Sequence, residues 1–394
     1  MRLVTCKGGP REVGRQQGEA LRELIWRRWE GEIGKLQRTV EEKWGPEILS
    51  RVQKIHSRTV RYLEGEHPSI LEEIRGLAEG ANLPFDDALL MSTYNSVLFA
   101  TGNGTPWAGR IVCDQMNGCS GVAFADSPVG PFVFKTYDPT GKPEINSPAR
   151  RLEKGEQENW LIYVLHAEYK DGPKVIGVRL AGSIWTETGI NADGFAFASA
   201  SLHPKLYPQQ AAGLPQHFLG TMVLSRCRST AEARALLPKV PVFGKGYAMV
   251  LNDVYGHCVG VEKTGNYTGF NPPSLGIAYQ TNHLRSEALS QIGFEQDPGF
   301  WNSGTSPSKG YFRNSHNRVR HLERQLPALA AETDFDVLLS KLFHAGAPGD
   351  LIQTCIEACQ YWITTWAALA FPEKKEMWVT QGLPEECQFE VFKL

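Results

Sequence analysis

The stretch Gly118-Cys119-Ser120-Gly121-Val122-Ala123-Phe124-Ala125 places a small residue before a cysteine, and the cysteine opens an alternating, strand-like run. A second run, Phe132-Val133-Phe134-Lys135-Thr136-Tyr137, ends at Asp138, nineteen residues after the cysteine. This arrangement suits a chain cut before Cys119, whose thiol and freed α-amine would then act as one catalytic unit. An α-amine titrates near ~8 and a thiol near ~8.5, so the amine can serve as the thiol's own base. Gly118 has no Cβ, which lets the peptide twist until the thiol reaches the preceding carbonyl. The tripeptide alone decides little, because a cysteine at a strand start is more often a small core hydrophobe. Its competitor, Cys113, lacks the preceding glycine and the downstream strand register.

Upstream of this point the pattern is helical. Leu21, Leu24, Ile25, Trp29, Ile33 and Leu36 fall at helical spacing. Ser69 and Glu72 read as a capping box after Pro68, with Ile70, Leu71, Ile74, Leu77 and Ala78 as the apolar face behind it. A short helix is expected after Pro84, and 101–110 reads as an exposed loop before the cut. Downstream, strands are expected at 121–125, 131–137, 160–169, 174–181, 194–201, 247–252, 257–262 and 276–281. Helices follow at about 216–237, 315–328 and 333–343, and strands return at 362–371, 376–381 and 388–393. Periodicity alone says mixed α and β, with no internal repeat.

Composition bounds the function. The 394 residues are 42% hydrophobic, enough for one large core or two modest ones. Basic and acidic residues number 41 and 43, and neither side of Cys119 is a polybasic arm, which argues against a nucleic-acid partner. The first ten residues lack the apolar core of a secretory signal. Gln353, Glu357 and Gln360 interrupt the nearest approach to a membrane span at 351–371; a helix through Cys359 and then a strand from Trp362 are expected there. The eight cysteines include no CxxC pair, and Cys355 and Cys359 have no paired His or Cys motif, so no zinc site is expected. A cytoplasmic chain with free thiols, no cofactor and no membrane partner is the expectation.

Further segments appear in a recognisable order: Gly9-Pro10-Arg11-Glu12-Val13-Gly14-Arg15-Gln16-Gln17-Gly18, Leu71 to Ala81, Cys119, Asp138, Gly189-Ile190-Asn191-Ala192-Asp193-Gly194-Phe195, Leu251-Asn252-Asp253, Thr281-Asn282-His283, Asn314-Ser315-His316-Asn317-Arg318 and Trp378 to Pro384. In that order they resemble the isopenicillin-N acyltransferase family of self-cleaving N-terminal-nucleophile enzymes, from end to end of the chain. The resemblance implies an α+β, four-layer αββα sandwich with a helical prosegment. Residues 1–118 would be that prosegment, cut off yet staying associated as a second subunit, and 119–394 the catalytic domain.

It also assigns roles. Cys119 would be the nucleophile and Gly118–Cys119 the autocleavage bond, with Asp138 near the nucleophile to hold the α-amine. Asn191 and Asn252 stand where the wider superfamily places side-chain amides, which suit an oxyanion hole because they donate without titrating. Each also reads as a turn asparagine, Asn191 more strongly. Arg318, one helical turn after Ser315, could pair with Asp138 and keep it ionised. The chain departs from many relatives in carrying Lys135 where they have arginine, which keeps the charge but loses the planar fork. Lys135, Tyr137 and Trp185 are candidate substrate contacts, with Phe195 beside them. His283 reads as structural. The implied activity is hydrolysis of a linear amide, non-peptide or N-acyl, through a thioester, with a small-molecule substrate. Acyl transfer to an amine, and an uncleaved relative that only binds such ligands, are the alternatives. A papain-like protease fits poorly, since its flanking signature is missing. Homo-oligomerisation is left open.

Overall fold

A computed structural model of the protein describes residues 1–34, 38, 42, 46–102, 117–141, 161–202, 213–292, 308–344, 350–352, 356–357, 360–362, 364–384 and 387–394. The chain opens with strand β1 (Leu3–Gly8) and helix α1 (Pro10–Arg28), which continues as a π-helical turn over Trp29–Ile33. Three helices follow: α2 (Pro46–Glu66), α3 (Pro68–Ala81) and α4 (Phe85–Gly102). Next come β2 (Asn117–Phe124), β3 (Phe132–Gly141), β4 (Ile162–Tyr169), β5 (Lys174–Leu180), β6 (Thr186–Asn191) and β7 (Phe195–Ser201). After a short parallel pair, β8 (Leu214–Pro215) and β9 (Val242–Phe243), which brackets α5 (Phe218–Arg226) and α6 (Thr230–Leu236), the chain forms β10 (Tyr247–Asp253), β11 (Val259–Thr264), β12 (Tyr267–Asn271) and β13 (Ile277–Gln280). Helices α7 (Ser308–Ala330) and α8 (Phe335–Phe343) precede β14 (Ile356–Glu357), β15 (Gln360–Trp362), β16 (Trp366–Phe371), β17 (Glu376–Gln381) and β18 (Glu390–Lys393).

The strands make two sheets. One has the order β1-β4-β5-β6-β7-β10-β11-β12; the other runs β13-β2-β3-β16-β17-β18, with β15 also on β3. Alternation of side chains sorts each strand between two faces. Ala123, Val133, Val178, Ile190, Ala196, Ala198, Val250, Ala368 and Val379 face inward and form the core between the sheets, where small residues let the sheets approach. Phe195, Phe197, Met249 and Leu251 face outward from the first sheet onto α1, α3, α4 and α5. Phe124, Phe132, Phe134 and Leu369 face outward from the second sheet onto α7 and α8. Helices, sheet, sheet and helices therefore stack in four layers, the αββα sandwich.

Residues before Cys119 are not all helical. β1 pairs in parallel with β4, Leu3 opposite Val164, so the residues before Cys119 lend an edge strand to the first sheet. Alternation in Leu-Val-Thr-Cys-Lys-Gly is visible in hindsight, but six residues beside a glycine pair signal little. The first helices are also pinned by a buried network: Arg179 on β5 pairs with Glu73 on α3 at 2.5 Å, and Gln17 on α1 accepts from both Tyr163 and Arg179. Ser69 does not cap α3. His67 occupies that position without a side-chain cap, Ser69 lies in the first turn, and Glu72 bonds Arg75 instead. The expected helix at 216–237 breaks at Cys227, and β6 and β12 join the expected strands. In place of the helix through Cys359, β14 and β15 form a hairpin; Cys113, Cys355, Cys359 and the loop at 103–110 lie outside the described residues. No helix among the described residues is long and apolar enough to cross a membrane.

Candidate active site

The β2–β3 register sets Cys119 opposite Tyr137, Gly118 opposite Asp138 and Gly121 opposite Lys135. Directly opposed residues share a face. Cys119, Tyr137 and Lys135 thus point between the sheets, while Ser120, Thr136 and Asp138 point toward α7. On the other side of β2, β13 pairs as far as Gln280 opposite Gly121, and the chain then runs on past Cys119. That extension delivers Asn282. Its Oδ1 accepts the Cys119 backbone N–H at 3.0 Å, and its Nδ2 donates to the Ser201 carbonyl at 3.0 Å.

Arg318, fully buried on α7, binds the same spot. Its Nη1 donates to the Cys119 carbonyl at 2.5 Å and to Ser120 Oγ at 3.0 Å, and its Nη2 donates to Asn282 Oδ1 at 2.7 Å. Two donors converge on Oδ1, which fixes the orientation of the Asn282 amide. Asn314, one helix turn earlier, accepts from Arg318 Nε through its Oδ1 at 2.8 Å and holds the guanidinium in plane. Ser315 Oγ accepts the Asn282 N–H at 2.8 Å and lies 2.8 Å from His283 Nδ1, tying the Asn282 loop to α7. His283 is held neutral by burial and by the cations around it, in keeping with a structural task.

Asp138 is buried. Its carboxylate accepts from Thr136 Oγ1 at 3.0 Å and from Thr364 Oγ1 at 2.7 Å. Burial raises its pKa, while the positive charge of Arg318 and these two hydroxyls oppose that rise. Arg318 thus acts on Asp138 through its charge, and its hydrogen bonds named above go to the Cys119 carbonyl, Ser120, Asn282 and Asn314. The Cys119 thiol, 2% exposed, is likewise pushed up by burial and pulled back by Lys135, while Glu187 and Asp138 push it further up. Lys135 donates to the Ser199 carbonyl and sits 5.8 Å from the centre of the Trp366 ring. It is wholly buried, and its charge offsets part of the upward push on the thiol. Cys119 belongs to a small buried cluster with Ala200, Leu202, Ala248, Leu284 and Leu289, against which Tyr137 and Ile292 pack partly buried.

Three of the sequence's assignments fall away. Asn252 sits near the other end of β2, roughly 17 Å along the strand from Cys119 at about 3.3 Å per residue. Its Nδ2 donates to the Phe124 carbonyl at 2.7 Å and the Phe132 carbonyl at 3.1 Å, where it joins the two sheets. Asn191 donates to the carbonyls of Leu224 and Cys227, closing the end of α5. Neither amide is available to an oxyanion at Cys119. Trp185 packs on the outer face of the first sheet. Its Nε1 donates to the Ser92 carbonyl, and its ring stacks 4.1 Å from His217 and 5.4 Å from Tyr94. Phe195 also belongs to that outer core. Among the described residues no group of three His, Cys, Asp or Glu side chains could hold a metal ion.

Residues 130–385 match the family described as acyl-coenzyme A:6-aminopenicillanic acid acyl-transferase. The chain belongs to this family. As a member of the acyl-transferase family it is an enzyme of the N-terminal-nucleophile type, acting on or forming amide bonds. The match begins after Cys119 and so does not include that residue. Solved structures that resemble it include a mutant of conjugated bile acid hydrolase from Clostridium perfringens, with 12% identity over 70% of this chain and 92% of that one and a TM-score of 0.40. Others are an N-acylethanolamine-hydrolyzing acid amidase ortholog from Caenorhabditis elegans (10% identity, 64% and 93% covered, TM-score 0.39) and penicillin V acylase from Agrobacterium tumefaciens (13%, 70% and 85%, 0.37). At such identities no substrate carries over from them.

Proposed function

We propose that this acyl-transferase family member cuts its own Gly118–Cys119 bond and then hydrolyses a linear amide, non-peptide or N-acyl, through a thioester on Cys119. The observation that carries the reading is the way Cys119 is held. Side chains from two separate elements grip both ends of its backbone, Asn282 at the nitrogen and Arg318 at the carbonyl, beside a lysine that favours the thiolate. A cysteine present only for packing has no use for such a grip.

In the first use, the thiol attacks the Gly118 carbonyl carbon. The C–N bond breaks, the acyl chain passes to sulfur, and the thiol's proton goes to the nitrogen. Water then hydrolyses the thioester, leaving a Gly118 carboxylate and a free Cys119 amine held by Asn282. In the second use, a substrate amide replaces the Gly118 peptide. The α-amine takes the thiol proton and passes it to the departing amine, and water collects the acyl group. Incubation of cleaved protein with a panel of N-acyl amides and hydroxylamine is expected to give acyl hydroxamates. Mass spectra should show the acyl adduct on the 276-residue fragment. Amine release with neither adduct nor hydroxamate would contradict a thioester route.

A further inference from the structure

Glu262 on β11 is wholly buried. Its side chain lies on the face of the first sheet that meets the nucleophile. Across β7, β10 and β11, Ala200, Ala248 and Glu262 stand directly opposite one another in a row, and the two alanines pack with Cys119. The carboxylate Oε1 accepts from Asn271 Nδ2 at 2.7 Å, from the Arg285 N–H at 2.7 Å and from Gln280 Nε2 at 3.4 Å. Oε2 accepts from the Ser286 N–H at 3.0 Å and from Ser286 Oγ at 2.7 Å. All of these donors are uncharged. Burying a carboxylate is costly unless its lone pairs are filled, and here most of the filling comes from one segment, residues 280–286.

That segment carries Asn282. It leaves the second sheet at Gln280 and reaches Glu262 on the first sheet at Arg285. Between these points lie Asn282, which accepts the Cys119 N–H, and Leu284, which joins the cluster around Cys119. Leu289, in the helical turn Glu287–Ile292 that follows, belongs to the same cluster. Bonds from α7 hold Asn282 on one side, through Ser315 and Arg318, and Glu262 fixes the far end of the segment. A Cβ at Gly269 on β12 would overlap Ser286 Oγ, so the strand is bare where Ser286 turns toward the carboxylate. Glutamine cannot replace this residue on equal terms. A carboxylate accepts at both oxygens, whereas an amide would turn an NH2 toward groups that are themselves donors.

We propose that Glu262 is a positioning residue: by binding the N–H groups of Arg285 and Ser286 it anchors the segment that sets Asn282 against the Cys119 nitrogen. Its effect on rate deepens the amidohydrolase reading and rests on it; the placing of Asn282 does not. Without the carboxylate the far end of the segment loses its anchor, and a misplacement of about 1 Å at reacting groups costs on the order of 10²-fold in rate.

Hydrogen exchange in the uncut Cys119→Ala chain tests the placing without requiring activity. Adding Glu262→Gln should speed exchange of the residue-119 amide by about tenfold, the worth of one protecting hydrogen bond, while the core strand β16 keeps its rates. With Asn282→Ala also present that amide should already exchange fast, and Glu262→Gln should add nothing. Faster exchange confined to Arg285 and Ser286, or an added effect in the Asn282→Ala background, would overturn the proposal. If Glu262→Gln fails to fold or exchanges faster throughout, Ser286→Ala decides, since it removes a single donor: a faster residue-119 amide supports the proposal and an unchanged one overturns it. With Cys119 restored, Glu262→Gln should slow self-cleavage and turnover by about 10²-fold, and wild-type rates would count against it. A wild-type chain that neither cleaves itself nor turns over amides sinks the hydrolase reading alone, and the exchange result still decides the role of Glu262.

Discussion

Two asparagines that look alike in sequence part company at the level of single hydrogen bonds. Asn252 gives its amide to two backbone carbonyls between the sheets, whereas Asn282 accepts from the nitrogen that would become the catalytic amine. Asn252→Ala should therefore act on stability. Orphaning two buried carbonyls costs roughly 1–3 kcal/mol for each that stays dry, so the melting temperature should fall while the folded fraction still cleaves and turns over. Asn282→Ala should leave melting closer to wild type and stop or slow cleavage. Melting curves read beside the cleaved fraction separate the two, and an Asn252→Ala protein that folds normally but stays uncut would reverse the assignment. Cys119, Asp138 and Arg318, which the structure sets near one another, could be singled out in the sequence because their neighbours carry local signals. Asn282 was visible within Thr281-Asn282-His283, but its role depends on the β13–β2 register, which no local pattern reports. Asn191 and Asn252 misled for the same reason: a strand-end asparagine looks the same whether it faces a nucleophile or a carbonyl.

Among the elements, the tightest packing joins α1 and α3. Gly14 and Gly18 on one helix meet Gly76 and Gly80 on the other, and a Cβ at any of them would overlap the facing backbone. Their spacing of four residues in both helices allows the backbones to touch along a shared ridge. Gly76→Val should force the helices apart, at roughly the 1–3 kcal/mol or more that overpacking costs. Gly9→Ala, where a Cβ meets nothing, is the matched control. Urea melts of the two variants test this, and equal midpoints would count against close packing as the role of Gly76. The long apolar stripes predicted α1 and α3 correctly because helical period is a local property. The parallel pairing of β1 with β4 was not legible, since it joins residues about 160 positions apart. The β14–β15 hairpin was misread as helix because a short apolar run fits either period.

For the whole molecule, the residues before Cys119 supply α1 to α4 of the helical layer over the first sheet and one edge of that sheet, so keeping them associated is a matter of fold stability. Two of their histidines respond to acid. Burial holds His56 and His67 down to about 4, below the usual value near 6.5. Between those values the unfolded chain binds more protons than the folded one, so stability rises with pH in this window and is lost as pH falls from about 6.5 toward 4. Asp138, raised by burial, works in the opposite sense, which makes a variant comparison necessary. The melting temperature of His56→Gln/His67→Gln should fall less between pH 7 and pH 5 than that of wild type. Parallel curves would remove the two histidines from the acid response.

The proposed activity hangs on one bond. Intact-mass spectrometry of freshly purified protein, run beside Cys119→Ala, reads it directly. Fragments of 118 and 276 residues from the wild type, eluting together before denaturation, with a single uncut chain from the variant, are the predicted result. A cut at any other bond, a Cys119→Ala chain that still cleaves, or a catalytically active wild-type chain that remains whole would contradict an N-terminal Cys119 nucleophile.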